Sequence, residues 1–176
     1  MANILEEVRK FVREEFEKQD SFRKLSYQNH FVVVVKYALE LAEKEKADKE
    51  IVEISAWLHD IGCIVHKSQE NHHISSAKIA EDLLTRLNYP KDKIEKVKHC
   101  ILSHRGSVNI KRETKEAQIL ADADALSHFD VAKELVSVFG TKEAVLKKLE
   151  RDYAKMSGYA RSIIDYKFNK IKEELS

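Results

Sequence analysis

Apolar residues recur every three or four positions along most of the chain, and little interrupts them. Leu5, Val8, Val12 and Phe16 form one stripe, Val34, Ala38 and Leu41 a second, and Ile94, Val97 and Ile101 a third. That period is the pitch of an α-helix with one buried face. The 176 residues include only four Gly and a single Pro, too few for the frequent turns an all-β chain needs. The expectation is an all-α fold, a single-domain helical bundle over residues 1–176, long enough to bury a core without disulfides. Phe31 to Val35 has high strand propensity, but its flanks continue the helical period, so it too reads as helix.

Helices are expected over residues 3–18 and 26–46, with a break at Asp20-Ser21. A third starts after Asp48 as N-cap and stops at Gly62, followed by a loop over 63–71. Further helices are expected over 72–87, from Pro90 through His104, and over 113–139 in one or two pieces stopped by Gly140. Thr141 caps another to residue 157, and Gly158 separates it from a last helix ending at Leu175.

Net charge is +1, which argues against general nucleic-acid binding. Cys63 and Cys100 have no CxxC spacing, which fits a reducing, cytoplasmic setting. The first ten residues mix Glu and Arg with isolated apolar positions, unlike a signal peptide. The longest apolar run, residues 31–35, is too short to span a bilayer, so no membrane partner is expected.

Several polar residues close the buried stripes. His104 follows Ile101 at the helical offset, His30 precedes Val34 by four, and Asp124 follows Ala117 and Leu120 on an inward stripe. His59 and Asp60 end the helix carrying Ile54, Trp57 and Leu58. A buried carboxylate is costly without a partner, and a cation is the strongest partner available. A lone inward His is more often bonded to backbone, and a lone inward Asp more often caps a helix. Taken together, His30, His59, Asp60 and Asp124 favour a metal site over a structural polar network. His72 and His104 can complete a shell for one or two divalent ions.

At these residues the chain resembles the HD-domain superfamily of metal-dependent phosphohydrolases, in particular its HDIG subgroup. The likeness covers residues 26–129 and is carried by His30 with Val34 and Ala38, by Trp57-Leu58-His59-Asp60-Ile61-Gly62, and by His72-His73-Ile74-Ser75-Ser76-Ala77. It continues through Ile101-Leu102-Ser103-His104 and Leu120-Ala121-Asp122-Ala123-Asp124-Ala125-Leu126. The resemblance implies that His30, His59, Asp60 and Asp124 bind one metal and that His72 and His104 hold a second bridged by Asp60; His73 is the alternative to His72. It implies an HD-type bundle with C-terminal helices over 141–175, and a cofactor of one or two divalent ions (Mn, Fe, Co, Ni, Mg or Zn). Two departures weaken any transfer of nucleotide specificity. Val33 stands where several nucleotide-directed members carry Arg, and Ala125 where some carry a basic residue.

The implied activity is hydrolysis of a phosphate ester or anhydride of a small metabolite, a nucleotide or dinucleotide, by metal-activated water with His59 and Asp60 at its centre. Candidate substrate-binding groups are Lys67 and Arg105 in the loops after two ligand-bearing segments, and His128 one turn beyond Asp124. Solvated surface charge is the plain alternative for the two cations, and space-filling beside Phe129 for His128. His66 is a rim candidate, Asp122 either orients a ligand or caps its helix, His99 is expected to face solvent, and Cys63 to fill apolar space. Lys155 and Arg161, flanking Gly158, are further candidates for phosphate contact. Other functional classes are a di-iron oxygenase of the same superfamily and a regulatory binding module with a vestigial site. The amphipathic first and last helices leave a homo-oligomer open.

Overall fold

A computed structural model describes residues 3–175. Met1 and Ala2, at the start of the stretch read for a targeting signal, lie outside the described residues, as does Ser176. Helix α1 (Ile4–Glu17) opens where the Asn3 side chain accepts the Leu5 N–H at 3.1 Å, and it buries Val8, Val12 and Phe16. The break expected at Asp20-Ser21 is present, with residues 18–20 outside any helix after α1 ends at Glu17. Asp20 caps a further short helix, α2 (Ser21–Ser26), by accepting the Arg23 N–H at 2.9 Å.

The chain then makes one turn of π-helix over Tyr27–Phe31, closed by the Val32 N–H on the Tyr27 carbonyl, before α3 (Val32–Glu45) resumes the ordinary pitch. One expected helix is therefore three joined pieces. A π turn accommodates one extra residue without unwinding the helix, and such turns recur at functional sites. This one carries His30.

Helix α4 (Lys49–Leu58) starts as expected, with Asp48 accepting the N–H groups of Glu50 and Ile51 at 3.1 and 3.2 Å. Every residue from Ile51 to Leu58 is buried, so α4 lies at the centre and not on the surface. Gly62 does not stop it. The helix ends at Leu58, a tight turn holds His59 and Asp60, and a short helix α5 (Ile61–His66) follows where a loop was expected. What Gly62 supplies is close approach: a Cβ there would meet Ser75 Oγ at 2.2 Å and the Ser76 nitrogen at 2.9 Å.

The remaining elements are α6 (His72–Arg86), α7 (Lys91–Ser103), α8 (Lys115–Asp130), α9 (Leu135–Phe139), α10 (Lys142–Lys155) and α11 (Gly158–Leu175). Thr141 caps α10, and Gly140 ends α9 at φ 82°. Gly158 begins α11; Ser157 before it is the cap, accepting the Ala160 N–H at 3.3 Å.

Helix α8 is buried nearly all round, through Ala117, Ile119, Leu120, Ala121, Ala123, Leu126 and Phe129. Its alanines let α3 approach closely on one side, while α4 and α7 pack on others and α10 and α11 close the rest. Helix α1 covers α4, and α6 lies against α5 and α7. Phe129 meets Phe168 of α11 edge to face at 5.2 Å, so the C-terminal helices share the same core. Glu53, buried in α4, is neutralised by Arg9 of α1, whose Nε and Nη2 lie 3.1 and 2.5 Å from Oε1. Among the described residues no helix is long and apolar enough to cross a membrane.

Candidate metal centre

Five segments deliver polar side chains to one point. His30 comes from the π turn, His59 and Asp60 from the turn between α4 and α5, His72 from the first residue of α6, His104 from the end of α7 and Asp124 from the middle of α8. The two oxygens of Asp60 divide the cluster. Oδ2 lies 3.5 Å from His30 Nε2 and 3.7 Å from His59 Nε2, while Oδ1 lies 3.1 Å from His72 Nε2 and 3.5 Å from His104 Nε2. Asp124 Oδ1 joins the first group, 3.5 Å from His30 Nε2 and 3.8 Å from His59 Nε2.

The far nitrogen of each ring fixes which tautomer faces inward. His59 Nδ1 lies 2.8 Å from the Ala56 carbonyl, His72 Nδ1 2.9 Å from that of Gln69, and His104 Nδ1 2.6 Å from that of Ile101. A carbonyl only accepts, so each Nδ1 carries the hydrogen and each neutral Nε2 presents a lone pair. His30 reaches the same state through Ser127. That hydroxyl donates to the Asp124 carbonyl at 2.7 Å and so accepts from His30 Nδ1 at 3.0 Å.

Lone pairs of His30 and His59 thus face each other, Nε2 to Nε2 at 3.1 Å, with two carboxylates beside them. Only a proton or a cation between them relieves that repulsion. Protonation follows this logic. Burial disfavours the charged form of His30 and of His104, yet Asp60 and Asp124 overcome it and raise both pKa values. Burial dominates at His59 and lowers it to about 4. Asp60 and Asp124 stay well below the usual carboxylate range despite burial, held there chiefly by His59 and His128 respectively.

Asp60 Oδ1 is buried and accepts no hydrogen bond. The contrast with Glu53 is informative, because that buried carboxylate has a guanidinium and Asp60 has only imidazoles. Ligands about 2.1 Å from a shared ion stand roughly 3 to 3.5 Å apart, close to the separations found here. The donor set of imidazole nitrogen and carboxylate oxygen therefore fits one or two divalent ions.

The other expected residues divide. His73 is buried, but its Nδ1 has no partner and it lies outside the set around Asp60, so His72 is the ring that faces the centre. Arg105 is half-buried, and after burial its charge is the largest influence lowering the His73 pKa. Lys67 and His66 are exposed at the end of α5 and are not among the groups converging on Asp60. Cys63 is buried as expected, with its thiol 3.4 Å from Gln69 Oε1 and within 4.8 Å of donor atoms of Asp60 and His72.

Other expectations are corrected. His99 is half-buried, not solvent-facing, because its Nε2 accepts the Glu113 N–H at 3.1 Å. Asp122 neither caps its own helix nor touches the cluster; it accepts from Gln118 at 2.7 Å and from the Ser157 N–H at 3.3 Å, tying α8 to the start of α11. Arg161 closes α10 through the carbonyls of Tyr153 and Ala154, and Lys155 holds the Gly106 carbonyl at 2.5 Å.

The sequence reading missed Ser127, Arg112, Lys148 and Asp152. Arg112 reaches the Ser103 carbonyl at 3.2 Å and the His104 carbonyl at 3.5 Å, steadying the end of α7. Ser127 stands three residues beyond Asp124, a helical spacing that could have flagged it. Lys148 and Asp152 stand four apart and so read locally as a helical ion pair, but nothing local ties that pair or Arg112 to the cluster.

Comparison with known proteins agrees with this geometry. A family model described as "HD domain" matches residues 27–128. Among solved structures, a predicted HD superfamily hydrolase from an uncultured Thermotogales bacterium is 26% identical, covering 96% of this chain and 92% of its own at a TM-score of 0.62. Bacillus subtilis YpgQ, crystallised in complex with ADP, shares the fold at a TM-score of 0.67 and 21% identity, covering 97% of this chain and 93% of its own. No curated protein sequence matches.

Proposed function

The chain belongs to the HD domain family, and from that membership we propose that it is a metal-dependent phosphohydrolase acting on a small phosphorylated metabolite, with nucleotides as the substrate class. The observation that carries this reading is the division of Asp60 between two imidazole pairs, each ring presenting its Nε2. In this reading His30, His59, Asp60 and Asp124 hold one divalent ion, and Asp60, His72 and His104 hold a second. A bound divalent cation supplies a Lewis acid that lowers the pKa of water and offsets phosphate charge.

The chain's own groups do the rest. Three backbone carbonyls and Ser127 keep the four rings from turning. His59 and His104 are sealed from solvent, at 0% and 2% exposure, so a ligand approaches from the side of His30, Asp60, Asp124 and His128. Arg105 offers positive charge at the rim, free of any hydrogen-bonded acid among the described residues. Support for the nucleotide class comes from the Bacillus subtilis protein of the same fold, which was crystallised with ADP.

The test is turnover. The full chain, stripped by chelator and reloaded in turn with Mn, Co, Ni, Mg, Fe and Zn, is offered a panel of nucleoside mono-, di- and triphosphates and simple phosphate esters. Release of phosphate or pyrophosphate that depends on the added metal is expected. No release from any member with any metal would sink the reading.

A further inference from the structure

The five imidazoles around Asp60 and Asp124 are not equivalent. Four have Nδ1 against an oxygen that accepts, as described above. His128 is set the other way. Its Nδ1 lies 2.9 Å from the Nζ of Lys148, and an ammonium group can only donate. The neutral ring must therefore carry its hydrogen on Nε2. That nitrogen is 3.8 Å from Asp124 Oδ1, and the ring stacks on His30 with centroids 5.7 Å apart.

Lys148 is itself held in place. Its Nζ lies 2.5 Å from Asp152 Oδ2, one turn along α10, and the two side chains are only 13% and 6% exposed. Asp152 is backed by Gly106, where a Cβ would stand 3.1 Å from Oδ1. Both residues lie beyond residues 27–128 covered by the family model.

We propose that Lys148, held by Asp152, is a positioning residue that fixes His128 as an Nε2–H donor to a phosphoryl oxygen of the substrate, and that His128 does not ligate the cation. Proximity alone would make His128 a ligand, because its ring nitrogen and the donor atoms of His30 and Asp124 all lie within 4.8 Å of one another. The hydrogen on Nε2 removes the lone pair a cation needs. His128 is on the open side of the cluster, 19% exposed, so an anionic oxygen arriving there meets an N–H. The nature of that acceptor rests on the phosphohydrolase reading above; the tautomer does not.

Proton–nitrogen NMR of the 15N-labelled full chain at neutral pH tests the two separately. Wild-type His128 is expected to carry hydrogen on Nε2, and titration with Zn2+ is expected to shift Nε2 of His30, His59, His72 and His104 while leaving His128 unmoved. In Lys148→Met the ring hydrogen moves from Nε2 to Nδ1, which then donates to Asp152 Oδ2, 3.6 Å away, and the His128 pattern reverses. Lys148→Arg, which keeps a donor, retains the wild-type pattern and guards against misfolding of the Met variant. In turnover, Lys148→Met lowers kcat/KM by about 10- to 100-fold, and His128→Gln, whose amide can donate, retains more activity than His128→Ala. Hydrogen on Nδ1 in the wild type, or a His128 Nε2 that moves with Zn2+, overturns the proposal. If Zn2+ moves none of the other four rings, the metal reading fails while the Nε2–H tautomer still supports the role of Lys148.

Discussion

Ser127 donates to the Asp124 carbonyl and receives His30 Nδ1, so one small side chain sets a neighbouring ring's tautomer and orientation. Outer partners of this kind typically change metal affinity by about 10- to 100-fold when removed. Ser127→Ala is therefore expected to weaken cation binding by about that factor while melting close to the wild type, as read by competition with a chromophoric chelator. Unchanged affinity would mean that packing alone holds His30. The buried acids sort by what faces them. Glu53 has Arg9, Asp152 has Lys148, and Asp122 has N–H donors from Gln118 and Ser157, whereas Asp60 and Asp124 face imidazoles. The inward placement of Asp60 and Asp124 was legible in the apolar stripes that they close, and the burial of Glu53 and Asp152 was not. The partners were not legible, because Arg9 and Glu53 stand 44 positions apart and His30 and Ser127 stand 97 apart.

Among the elements, α5 and α6 meet through the bare backbone of Gly62, whose N–H also donates to Ser76 Oγ at 2.9 Å. Gly62→Ala drives a methyl into Ser75, Ser76 and the His72 carbonyl. Overpacking of this kind costs about 1–3 kcal/mol. Urea unfolding should report that loss together with weaker cation binding, since His72 begins α6; full stability would show that the two helices can separate freely. Glu50 of α4 accepts from Lys93 and Tyr89, both at 2.7 Å, and so ties α4 to α7. The hydrogen bond from Lys93, then that from Tyr89, lowers the Glu50 pKa. A lowered carboxylate stabilises the fold above its unfolded pKa and loses that contribution as pH falls through the folded value. Glu50→Gln should thus melt below the wild type at neutral pH and converge with it in acid. The gap is small, about 1 kcal/mol or less, because the pair is a third exposed. A gap that persists in acid would assign it to something other than charge. The apolar period located α1, α6, α7 and α10 to within a residue or two. It missed the π turn and α5, because a widened turn and a six-residue helix hardly alter the period.

For the molecule as a whole, the candidate centre is where segments spread from residue 30 to residue 124 converge, and α10 reaches it from further along the chain. An ion bound by the folded state and not by the unfolded chain stabilises by mass action, about 2.7 kcal/mol at 100 times its dissociation constant. For a chain of this size that is about 5–10 °C in melting temperature. Stripping with chelator should lower the melting temperature by about that amount, and re-adding the metal should restore it. Identical melting with and without metal would mean that no cation ties these segments together.

Sequence alone determined the helices, the apolar faces and the polar residues that end them, because each depends on a period within a few turns of the same chain. It also carried the resemblance to the HD-domain superfamily, which rests on an ordered set of motifs. The tertiary structure decided that Asp60 divides between two ring pairs, that His72 and not His73 faces it, and that Lys148 turns His128 into a donor. Those outcomes depend on which atom of a distant segment lies within 3 Å, and helical periodicity does not encode that distance.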